Sequence, residues 1–141
     1  MPHALIGGFF VLHGLITSFI GFGAVRSPNA VAMAMPAWMA WWPGPFGRSW
    51  AIDALGLGSA AAIVGGLIWL AAGLSLVVGG VGWLGVGPLV EQRLPLLMGG
   101  AALGLVALVL YLHPFYLAAV LINVAIVGLL WGQFASERAG A

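Results

Sequence analysis

Few side chains in this chain can do chemistry, and their positions matter more than their number. His13 lies inside an apolar run reading PHALIGGFFVLHGLITSF over residues 2–19. An imidazole there could ligate a cofactor or metal, relay a proton or hydrogen-bond a quinone. The simpler reading is a neutral histidine bonded to Asn123 or to a backbone carbonyl. Thr17 follows His13 by one helical turn and shares its face. Asn123 sits in a second apolar run, where an amide bonds across helices in lipid. Arg48 and Asp53 form either a structural pair or an anion- or headgroup-binding group beside a proton acceptor. His113 reads as a helix-end residue or a ligand. Trp41 and Trp42 read as membrane-interface anchors or as a lid over a lipid-like ligand.

Other chemistries have no residues to carry them. The sequence contains no H-E-x-x-H, no G-x-S-x-G and no Walker loop. His3, His13 and His113 have no metal-ligand spacing, and unequal depths of His13 and His113 disfavour a bis-His haem. There are no cysteines, which removes thiolate chemistry and Cys-ligated clusters. A net charge of only +1 and no basic run argue against a nucleic-acid partner. No metal site is therefore expected, and a quinone or a lipid is the cofactor or ligand class left open.

The elements that must position these groups follow from composition. Of 141 residues, 63% are hydrophobic and 5% charged, with mean hydropathy +1.16. A soluble domain carries about 25% charged residues, so lipid must be the solvent for most of this surface. A spanning helix needs roughly 20 mainly apolar residues. The sequence predicts an all-α integral membrane four-helix bundle, a single transmembrane domain over 1–141 with spans near 4–24, 50–79, 95–112 and 115–134. The N-terminus has no Lys or Arg before its apolar run and reads as a retained first span, not a signal peptide. Gly7, Gly14 and Gly21 recur every seven residues, as do Gly58, Gly65, Ala72 and Gly79. Such small stripes let helix backbones approach closely, so the first two spans are expected to pack through them. Ser49 is the expected N-cap of the second span, with Asp53 in its first turn. Pro88–Leu94 is expected as a short separate helix before Pro95, and His113-Pro114 as a boundary.

The stretch 36–53, PAWMAWWPGPFGRSWAID, holds four of the seven Trp residues. Its apolar lead-in is too short to cross a bilayer, which predicts a Trp-rich interfacial or re-entrant loop between the first two spans. Four spans place both termini on one side of the membrane. The arginines divide evenly between the two sides, so absolute orientation stays open. Sorting polar residues by depth puts His13, Thr17, Ser18, Ser59 and Asn123 in the half nearer the Trp-rich loop or near the midplane. That bias predicts a polar funnel beneath the loop, with the loop as its roof.

Phe10, His13 and Gly14 within GGFFVLHG (7–14), and the late LHPFYLAAVLINVAI (112–126), resemble the DoxX-like small four-helix membrane proteins. Leu15, Ile16 and Thr17 stand where that pattern commonly has a Lys. The resemblance implies a four-helix membrane fold and an association with subunits of thiosulfate:quinone oxidoreductase or with membrane complexes handling redox stress.

The expected function is a small polytopic membrane protein acting as an accessory or binding subunit. It would hold a quinone or lipid in a redox-linked complex in a cell membrane of the prokaryotic plasma-membrane type. The alternatives are a quinone-linked membrane oxidoreductase, using Asp53 or His13 as proton acceptor, and a purely structural oligomeric subunit. A transport role would need polar lining through both halves. Expected partners are the bilayer, other membrane subunits, or a second copy through the glycine stripes, including Gly128-x-x-x-Gly132.

Overall fold

Long apolar runs without interior charge leave the helix as the way to satisfy every backbone N–H and C=O in lipid. The computed structural model describes residues 2–26, 56, 59–110 and 116–139. These form four helices, α1 (Pro2–Arg26), α2 (Ser59–Trp83), α3 (Leu89–Leu110) and α4 (Leu117–Ala139). All four are long and apolar enough to cross a membrane. Large hydrophobic side chains face outward along them; Leu5, Phe19 and Leu129 are each 75% exposed. In water that surface would aggregate, whereas in lipid it is a solvated exterior.

Packing runs in chain order: α1 on α2, α2 on α3, and α3 on α4 more sparsely. The first contact is built on glycine. Gly14 faces Gly73 and Gly21 faces Gly66, with Gly7 and Gly80 meeting the opposite helix one repeat further on. A Cβ on Gly14 would lie 2.6 Å from the Gly73 carbonyl oxygen, and one on Gly21 would lie 2.6 Å from that of Gly66. The backbones are thus in contact, and weak Cα–H···O bonds are the attraction such proximity permits.

The expected partner stripe on α2 was displaced by one residue. Gly66, Gly73 and Gly80 meet α1, whereas Gly79 meets Leu97 of α3, and the Ala72 carbonyl lies against Gly100 of α3. One residue is about 100° of helix rotation, so α2 carries two small-residue faces and serves as the bundle's central helix.

Helix boundaries also differ from those read in the sequence. α2 is described from Ser59, and Gly56 before it lies in a turn with φ +66°, in the left-handed region that glycine tolerates; the expected start near residue 50 lies outside the described residues. The expected Ser49 cap lies outside the described residues. Pro95 does not start α3 but lies inside it, so no separate helix over 88–94 exists. Proline removes one helical bond at a cost of about 3 kcal/mol. Leu94 and Leu97, 3% and 0% exposed on either side of it, supply the burial that keeps the helix continuous. α1 and α4 each extend past the ends expected for them.

The α2–α3 turn is a Schellman motif. Val86 N–H donates to the Val81 carbonyl at 3.4 Å and Gly85 N–H to that of Gly82 at 3.0 Å. Gly85 takes φ +90°, which a glycine adopts without a Cβ penalty.

Two apolar clusters fill the bundle. One joins Phe10, Leu76, Leu94, Leu97, Ile126 and Leu130, with Trp83 and Phe134 against it. It ties the beginning of α1 and the end of α4 to the α2–α3 turn, at what is here termed the terminal end of the bundle. The other joins Trp69, Ala107, Leu108 and Tyr116 at the opposite end.

Candidate functional site

The buried polar residues Thr17 and Asn123 lie along their helices between these two clusters. The Thr17 hydroxyl donates to the His13 carbonyl at 2.8 Å. Its proton is therefore used within its own helix, and only the oxygen's lone pairs are left for a neighbour. His13, half-buried, points to the other flank of α1 and meets α4: Asn123 Nδ2 lies 3.4 Å from its Nε2. The same Nδ2 donates to the Ala119 carbonyl at 2.8 Å. That bond fixes which way the amide faces, since a reversed amide would set two oxygens against each other. Asn123 then presents an N–H to His13, whose Nε2 is the acceptor and whose Nδ1 carries the proton. Phe9, one turn earlier on α1, stacks on the imidazole with centroids 5.8 Å apart and planes 2° apart.

Asn123 Oδ1 is buried without a hydrogen-bond partner. It lies against Gly104 of α3, where an added Cβ would approach it to 3.0 Å. The pair therefore contributes little net stability. An interhelical side-chain bond in lipid contributes about 0.6 kcal/mol on average, whereas leaving a buried acceptor unpaired costs about 1–3 kcal/mol. Asn123→Leu, similar in shape, is accordingly expected to change the unfolding free energy by less than about 1 kcal/mol. A loss above about 3 kcal/mol in detergent unfolding would show instead that the amide is a main strut of the bundle.

Beside this pair, α1 and α4 do not close on each other. They leave an apolar groove of about 460 Å³ at the terminal end, with Phe9, Phe10, Trp83, Ile122, Ile126 and Gln133 among its walls. His13 comes one turn after its α1 wall and Asn123 directly follows Ile122 on α4, so the pair sits beside its inner end. Its outer end carries Gln133 and Trp83. Trp83 stacks on His3 at 5.6 Å and meets Phe10 edge-on at 5.6 Å, and its Nε1 has no hydrogen-bond partner.

The structure thus brings together His13 and Asn123 and places Thr17 beside them on the helix. Trp41, Trp42, Arg48, Asp53 and His113 lie outside the described residues, as does the rest of the Trp-rich stretch. Ser59 is exposed at the start of α2, and Ser18 faces Gly73 in the α1–α2 contact, its hydroxyl unpartnered. Neither lines the groove. The groove is apolar apart from Gln133 and lies at the terminal end; the signal that could have found it was the paired Phe9-Phe10 one turn before His13. Among the described residues, no group of three or more His, Cys, Asp or Glu could hold a metal. On the outer face of α4, added Cβ atoms at Gly128 and Gly132 would meet nothing within 4 Å.

No family model, no curated protein and no solved structure matches the chain.

Proposed function

We propose that this protein is a membrane-embedded accessory or binding subunit that holds a lipophilic molecule, a quinone or a lipid, between α1 and α4. The observation that carries the reading is the groove itself: about 460 Å³ of apolar space between α1 and α4. Ligand sites commonly have volumes of about 300–1,000 Å³, apolar walls and a few placed polar groups. Here Gln133 is the polar group on the wall, and the His13–Asn123 pair lies beside the inner end. Both termini would lie on one side of a multi-pass cell membrane. The DoxX-like character of Phe10, His13 and Gly14 would place such a subunit in a redox-linked complex.

The test is solvent extraction of protein purified in mild detergent, with quinones and lipids quantified per chain. About one lipophile per chain is expected, and less in His13→Ala, because the imidazole supports the Phe9 ring that walls the groove. Protein that carries no lipophile, and is indifferent to the substitution, rules the reading out.

A further inference from the structure

The groove has a direction. Its inner wall residues, among them Phe10, Ile122 and Ile126, are hydrocarbon; Gln133 and Trp83 stand at its outer end, where His3 also packs. Along α4 the wall runs from Ile122 to Gln133, a rise of about 16 Å at 1.5 Å per residue. The hydrocarbon core of a bilayer is about 30 Å thick, so the groove has the depth of one leaflet. At its inner end, the Nδ2 protons of Asn123 are committed to Ala119 and His13, and its Oδ1 is sealed against Gly104. A polar headgroup driven to the inner end would find no free Asn123 donor. At the outer end, Gln133 is the polar side chain on the wall, while Trp83 Nε1 is buried.

Resting on the lipophile reading above, we infer that the occupant is an acyl chain of a bilayer lipid from the leaflet at the terminal end of the bundle. The chain lies inward along Ile126 and Ile122, and the headgroup stays at the level of Trp83 and Gln133. The His13–Asn123 pair marks the depth at which the chain stops.

The test uses the full chain in phosphatidylcholine vesicles doped with an analogue carrying a photoactivatable diazirine midway along one acyl chain. Labelled residues are mapped by peptide mass spectrometry. Bulk lipid labels every outward face, so the readout is enrichment of Phe10, Ile122 and Ala125 over outward Leu15, Phe19 and Leu121. Several-fold enrichment is expected, falling to the level of the outward faces in Ala125→Trp. Leu5→Trp, which fills the same groove from α1, repeats the test should the first variant fail to fold. Equal labelling of groove and outward faces overturns the inference. Displacement of the label by added decylubiquinone at equimolar amounts also overturns it, while leaving the broader lipophile reading in place. Equal labelling together with no lipophile on extraction removes both.

Discussion

Gly73→Leu is expected to separate α1 from α2 and leave little monodisperse protein in detergent. The reason is geometric. A Cβ at this position would meet the Ser18 hydroxyl, the Ser18 backbone nitrogen at 2.5 Å and the Gly14 carbonyl oxygen at 2.6 Å. Two of these are backbone atoms and cannot rotate away, so the helices themselves must move. Overpacking a close contact costs about 1–3 kcal/mol and sometimes more, and here the displaced surface is the whole α1–α2 seam, where lipid provides no hydrophobic drive to restore it. Gly73→Ala is the milder form and should lower the midpoint of thermal unfolding without abolishing folding. Gly99→Ala and Gly128→Ala are the controls. Nothing lies within 4 Å of an added Cβ at either position, so both should stay within about 0.5 kcal/mol of the unaltered protein. A Gly73→Leu protein as stable as these controls would mean that the backbones of α1 and α2 are not in contact.

Ala125→Trp should empty the groove while leaving the bundle intact. Ala125 is exposed on α4 and belongs to the groove wall; it is absent from the apolar clusters that hold the helices together. An indole brings on the order of 150–250 Å² of surface, enough to occupy the space between Phe9 and Ile126. Bound lipophile per chain should fall about tenfold, equivalent to about 1.4 kcal/mol of binding free energy. Because the added ring covers wall surface that otherwise faces the occupant, thermal stability should hold or rise. Unchanged occupancy with unchanged folding would place any bound lipophile elsewhere on the molecule.

The four spans were legible because charge was nearly absent and length alone chose the helix in lipid. Their ends were less legible. Pro95 looked like a start because proline disfavours helix interiors, but flanking Leu94 and Leu97 bury fully enough to override it. The glycine seam was visible in α1 and misread in α2 for a definite reason. Two stripes, Gly65-Ala72-Gly79 and Gly66-Gly73-Gly80, have the same period and differ by one residue. Periodicity identifies a face but cannot say which neighbour it meets, and α2 has two. His13 and Asn123 could be weighed as partners because an amide and an imidazole in lipid both need one. Beyond the paired Phe9-Phe10 the groove left little mark on the sequence, since its walls are the same Leu, Ile and Phe that cover the lipid-facing exterior. Only the sparse contact between α1 and α4 distinguishes it.

That groove is the centre of the account, and native mass spectrometry of the chain released from its own membranes tests it most directly. The unaltered protein should retain an added mass of a single lipophile at detergent concentrations that strip the outer faces, and Ala125→Trp should fly as bare chain. A bare unaltered protein, or an added mass equally abundant in both, would contradict the assignment of the α1–α4 groove as a ligand site.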